Sequence, residues 1–265
     1  MNRISIVDNL NKVKTGDYFI DGLNILTNNL TIETESCSVC DIFVKDFSKI
    51  EQLNIIVNTD SQVTLSILGE EEILKHKIKI KVLKNATFNG YLADFTKKNN
   101  DFNCLIELAE ESANGMFKVA SLASLDDRKK IDISLVHHHP KTIGKIDCFG
   151  VCKDKSKLTF LGTSHIVKGA IKSKTQQSAK VVVFDPESNA VAKPILKIDE
   201  NEIEASHAAV IGRINDEHLF YLTSRGLSEA EAKDLITLGY LKPILVGFKE
   251  EEIKKRISSL IEGRA

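Results

Sequence analysis

ASHAAVIGRINDEHLFYLTSRGLSEAEA, residues 205–232, is where the chain changes its hydrophobic period, and the fold follows from that change. Up to Ile214 the apolar residues come in short bursts, many alternating with polar ones as in half-buried strands. After Ile214 they recur at helical spacing. Asn215 and Asp216 can cap a helix with Leu219, Phe220 and Leu222 on its apolar face, and Gly226 supplies the left-handed residue that ends it. Ser228 and Glu231 have capping-box spacing and open a second helix with Ala232, Leu235, Ile236 and Leu238 inward. Pro243 ends that run, and Ile253, Ile257, Leu260 and Ile261 mark a third amphipathic stretch over residues 249–261.

Upstream, bursts such as LNIIVN, VTLSILG, HKIKIKVL, IDISLVHHH and KVVVF follow one another from about Asp17, mostly about ten residues apart. Asn, Asp, Gly, Lys and Ser separate them, the residues that tolerate tight turns. The body is therefore all-β, and periodicity alone leaves a sandwich, a barrel or a stacked solenoid open. β-branched residues two apart with small polar residues at the corners suit a parallel β-helix. There is no strict hexapeptide repeat, which removes the left-handed acyltransferase helices.

The 265 residues can bury a sizeable core, and 36 basic against 37 acidic residues leave a net charge of −1. No stretch offers the basic surface that nucleic acid or an anionic membrane needs. The first residues, MNRISIVDNLNKVKTGD, lack the apolar region of a signal peptide, and no apolar run approaches the ~20 residues that span a bilayer. Five cysteines, an odd number, fit reduced thiols, so a cytoplasmic protein is expected.

The order of residues across the period change is more specific than the period. Ser206-His207-Ala208-Ala209, then Gly212, then DEHLFYLTSRGL over residues 216–227, resembles the signature of the SufB/SufD family of iron-sulfur cluster assembly proteins. Upstream, His137, His138, Gly150, Val151, Ser156, Phe160, Gly162, Gly169, Ala170, Lys172 and Ser173 follow the order of the family's central coils more loosely. The resemblance covers about residues 133–245. It implies a right-handed parallel β-helix over residues 1–214 and a small C-terminal helical domain over 215–265.

In that family the helical domain docks onto SufC, an ABC-type ATPase, and the β-helices of SufB and SufD pair. The resemblance thus implies SufC docking through Leu219, Phe220, Tyr221, Arg225 and Gly226, and amphipathic helices beside the charged rim of residues 249–252 suit a partner-binding surface. The alternative for these helices is that they cap the open end of a solenoid. His207 matches the histidine implicated in building the nascent cluster; by residue type it is either that or a packed, hydrogen-bonded histidine. No cofactor is expected to be firmly bound, though iron or an iron-sulfur cluster could pass through the subunit interface. Removing residues 216–265 is expected to release the ATPase and leave the β body folded.

Departures from the family pattern set the paralogue. SufB sequences flank the motif histidine with Glu and carry a sulfur-accepting cysteine on a preceding coil. Here the flanks are Ser206 and Ala208, and no cysteine follows Cys152. The expectation is a SufD-like scaffold and not an enzyme, pairing with SufB or with a second copy of itself. Little room for the N-terminal helical domain of full-length SufD precedes the first strands, which suggests a trimmed or early-branching form. The other readings are a SufB-like homodimeric scaffold of a two-component system and a non-Suf adaptor solenoid. A β-helix lyase or hydrolase would need clustered Asp/Arg or paired carboxylates, and no P-loop, G-x-S-x-G, H-E-x-x-H or dinucleotide fingerprint occurs.

Other residues carry weaker signals. On a strand His137 and His139 would share a face and could chelate a divalent ion, but no third ligand follows at readable spacing. Cys37 and Cys40 form a CxxC without the second pair that a zinc site needs. Cys148 and Cys152 would share a strand face, and with Cys104 they read as small core residues.

Overall fold

The computed structural model describes residues 2–3, 10–21, 28–45, 47, 49–70, 76–97, 99–214 and 216–262. Among these, nine strands form one sheet, in the order β1 (Asn2–Arg3), β3 (Gly16–Asp21), β5 (Val39–Lys45), β7 (Gln62–Gly69), β9 (Thr87–Asp94), β11 (Asn114–Ala123), β13 (Ile143–Cys152), β15 (Ser173–Val183) and β17 (Ile203–Arg213). Eight alternate with them in a second sheet: β2 (Leu10–Val13), β4 (Asn29–Thr34), β6 (Gln52–Val57), β8 (His76–Val82), β10 (Asn100–Leu108), β12 (Arg128–His137), β14 (Lys157–Ile166) and β16 (Asn189–Ile198). Each strand pairs in parallel with the strand two further on, so the chain winds as a parallel β-solenoid.

Alternation along the strands fills the space between the sheets. In β8 the isoleucines and Val82 of HKIKIKV are buried and the lysines exposed, as a period of two requires. Stacked over successive coils, such residues build one continuous core from Val13 to Val183.

The coils lengthen as they stack. Val39 pairs with Gln62, Gln62 with Thr87, Thr87 with Asn114, Asn114 with Ile143 and Ile143 with Lys174, so successive coils take 23, 25, 27, 29 and 31 residues. The solenoid is narrow at its N-terminal end and wide at its C-terminal end. One corner is a column of left-handed residues: Asp60, Asn85, Ser112, Lys141 and Lys172 all have positive φ. Each donates its backbone N–H to a carbonyl of the next coil, Lys84, Glu111, Pro140, Ile171 and Glu202 in turn. That bond offsets the ~1–2 kcal/mol a non-glycine residue costs in this conformation.

Three helices follow: α1 (Asp216–Ser224), α2 (Glu229–Leu241) and α3 (Glu251–Glu262), with a 3-10 segment at Lys242–Gly247. The Ser228–Glu231 capping box is formed, Gly226 has φ +99°, and Pro243 stands in the first turn of the 3-10 segment. The expected Asn215 cap lies outside the described residues.

These helices do not cap the open end. Leu241, Ile244, Phe248, Ile257 and Ile261 pack on the outer face of the nine-stranded sheet, against Phe43, Leu68, Ala93, Leu122 and Val151. The solenoid's flank is thus apolar where the helices land. Two of the predicted helix faces are corrected by this placement. Phe220 is 73% and Leu235 49% exposed, while Thr237 and Leu241 are the residues α2 buries beside Ala232. Lys249, in the charged rim read as a partner surface, pairs with Asp17 at 2.9 Å and Asp41 at 2.6 Å on the sheet.

Candidate functional site

The wide end of the solenoid is unfinished. Among the described residues β17 pairs only with β15 and β16 only with β14, so each presents a free edge. Almost every residue of β17 is exposed, with Val210 60% and Ile211 43% accessible. His207 lies in the middle of this strand, in register with Gln177 of β15. In-register neighbours of a parallel sheet share a face. Gln177 is buried in the interior, so His207 belongs to the interior face of a coil that no further coil covers. Ser206 and Ala208 take the outer face, beside Gln176 and Ser178.

Behind this rim the solenoid interior turns polar. The Gln177 Nε2 donates to Ser164 Oγ at 2.7 Å and to the Ile195 carbonyl at 3.1 Å. A narrow pocket there is lined by Cys148, Phe160, Gly162, Gln177, Lys193 and Pro194, among others. Thr175 Oγ1, Gln177 Oε1 and His137 Nε2 are buried without a hydrogen bond.

His137 corrects the chelation reading. β12 ends at His137, whose ring points into the core and bonds Thr142 Oγ1 through Nδ1 at 2.8 Å. His138 and His139 fall in the turn and are exposed, so His137 and His139 do not share a face. Gly144 makes room for the buried ring, since a Cβ there would stand 2.7 Å from Nε2. Burial, and after it the charges of His138 and His165, push the His137 pKa down to about 4, leaving it neutral at pH 7. Among the described residues no three His, Cys, Asp or Glu side chains come together as a metal site.

The four buried thiols are equally inert. Cys37 sits exposed at a left-handed corner while Cys40 is buried, so the CxxC does not converge. Burial raises Cys40 to about 11, with Asp41 adding to it, and Cys148 to about 12, with Asp147 adding to it. Burial likewise raises Cys104 and Cys152. Each therefore stays a protonated core residue at neutral pH.

On α1, Phe220 and Tyr221 face solvent, and the Arg225 guanidinium lies 5.3 Å from the Tyr221 ring centroid. Leu219 is half-buried, and Gly226 is exposed in the turn that follows. The sequence-derived residues therefore fall into two places, His207 on the open rim and the aromatic pair on the helical flank. Gln177 was not among them. Its signal was a polar residue on the inward register of SKTQQSAKVVV, visible only once the inward register is known.

A β-solenoid with an unfinished last coil and a helical flank is the class that fold and site define. The chain belongs to the SufBD family: residues 26–240 match the family model for SUF system FeS cluster assembly, SufBD core domain. It is 36% identical over 128 residues to the iron-sulfur cluster assembly protein SufD of Bacillus subtilis (strain 168), covering 48% of this chain and 29% of that protein. Iron-sulfur cluster assembly protein SufB of the same organism is 29% identical over 136 residues, 51% of this chain and 29% of the relative. A SufBD family protein of Staphylococcus epidermidis is 28% identical over 141 residues, 53% and 30% of the two chains. The matches span less than a third of each relative's length. Among the described residues no helix is long and apolar enough to cross a membrane.

Proposed function

We propose that this chain is a SufD-like scaffold on which a nascent iron-sulfur cluster is built, the cluster being cargo and not a resident cofactor. The observation that carries the reading is β17: an exposed, apolar edge strand with His207 at its centre. A flat free edge is a template for another strand, and a lone imidazole is an incomplete ligand set until a partner supplies the rest. The partner is SufB or a second copy of this chain. The identities to SufD and SufB are close, so the preference for SufD rests on Ser206 and Ala208 in place of glutamates and on the lack of cysteine after Cys152.

Phe220, Tyr221 and Arg225 on α1 are the proposed docking surface for the ABC-type ATPase SufC, with Leu219 and Gly226 shaping it. Aromatic residues and Arg are the usual anchors of such interfaces. The work attributed to this chain is assembly, with ATP hydrolysis left to the partner.

Co-expression with SufC, with and without SufB, tests the reading. A stable complex is expected, and His207→Ala should leave it intact while cluster formation on reconstitution falls at least tenfold. If no ATPase co-purifies, or if the variant builds clusters at the wild-type rate, the assignment fails.

A further inference from the structure

We infer that Gln177 is a positioning residue for His207: its buried side-chain carbonyl holds one ring N–H of the imidazole and turns the other ring nitrogen, unprotonated, toward the open mouth of the solenoid.

Three features of the rim carry this. Gln177 is only 3% exposed, and its amide cannot flip. The group it bonds at Ile195 is a backbone carbonyl, which only accepts, so the NH2 must face that way. The amide oxygen is thereby fixed on the opposite side, where it is buried and has no hydrogen bond. Gly162 leaves space beside it; a Cβ there would stand 3.2 Å from Oε1.

An orphaned buried acceptor forfeits its hydration without replacement, so a donor within reach is strongly favoured. The side chain beside Gln177 in the β15–β17 ladder is His207, on the same face. Its neighbours on that face are Ala205 and Ala209, too small to intervene and without side-chain donors. The His207 ring is exposed and bonds no other described residue, so it is free to turn to the amide oxygen.

The chemical consequence concerns the tautomer. A solvent-exposed imidazole exchanges its proton between both nitrogens. Held by a carbonyl it keeps the N–H on one side, and the other nitrogen presents a lone pair, as an imidazole that ligates metal requires. What that lone pair is for rests on the proposed function; the Gln177–His207 contact does not.

Long-range proton–nitrogen NMR of the full chain carrying labelled histidine, at a pH where imidazoles are neutral, decides the matter. His207→Ala identifies the signal, and the exposed His139 and His218 are internal references. In the wild type His207 should show the shifts of a single tautomer, unlike the references. Gln177→Met should move it to the reference values. Reference-like shifts in the wild type would overturn the inference without recourse to any variant. So would an unchanged pattern in a folded Gln177→Met protein. Cluster formation by His207→Ala is read separately, so the proposed function and this contact can fail independently.

Discussion

Lys129 and Asp94 show what a single residue can hold in this solenoid. Both side chains are fully buried, 3.1 Å apart, and Asp94 also accepts from Thr96 Oγ1 and Ser121 Oγ. Burial alone would raise the Asp94 carboxyl, but Lys129 and the hydroxyls outweigh it and hold it below the usual carboxylate range. Removing one partner leaves the other charge stranded, so Lys129→Met should cost about 3–5 kcal/mol in urea unfolding. Replacing both charges by apolar residues of similar volume should recover most of that loss. The pH dependence has a definite sign: a depressed carboxyl stabilises above its unfolded value of ~3.9, and the contribution is lost as pH falls through the folded value. Lys129→Met should therefore flatten the acid limb of stability against pH. An acid limb and stability like those of the wild type would mean that the pair contributes little. Lys129 is the second residue of RKKIDISLVH and alternates onto the buried face with Ile131, Ile133 and Leu135, whereas Lys130 falls on the exposed face.

At the scale of elements, legibility followed locality. The capping box, Gly226 and Pro243 act within one or two turns, and the structure has each in its expected role. Helix faces were less legible because the sheet, and not the helix, decides which side is covered. Phe220 has the spacing of a core residue, but α1 does not lie on the apolar flank. His137 was misread because β12 stops there, ending the alternation that would have paired it with His139. The coil repeat has no fixed sequence spacing, because its period grows by two residues at each step from Val39 to Ile143. The flank also alters the expected outcome of truncation. Deleting residues 216–262 would uncover Phe43, Leu68, Ala93 and Leu122, so the β body alone would expose a contiguous apolar face. A gentler change tests the docking. Gly247 lies directly on Tyr91, where a Cβ would stand 2.1 Å from the ring, and its carbonyl accepts from Ser66 Oγ. Gly247→Ala should lift the 3-10 segment and cost about 1–3 kcal/mol, as overpacking does. Hydrogen exchange should then speed up in α3 more than in the solenoid strands; uniform protection would argue against this anchor.

The whole molecule is a tapered solenoid whose flank and wide end are treated differently. Its flank is covered by helices and pinned by Lys249 to Asp17 and Asp41 and by Arg256 to Glu70 at 2.7 Å, while the wide end is left open. Exposed edges are normally blunted by lysine, proline or a bulge. β16 follows that pattern with Lys193, Pro194 and Lys197, but IEASHAAVIGR in β17 contains neither lysine nor proline. The free edge of the nine-stranded sheet is therefore the one suited to pairing, and the one that carries His207. Val210, at 60% exposure, contributes little to the core, so Val210→Lys should leave the fold and its unfolding midpoint nearly unchanged. A charge on that strand should nevertheless weaken association through the edge by about tenfold or more, roughly 1.4 kcal/mol. Sedimentation of the chain alone and with SufB reads the effect on self-pairing and on mixed pairing separately. Loss in one titration and not the other identifies the partner, and equal association of wild type and variant in both would move the pairing surface away from β17.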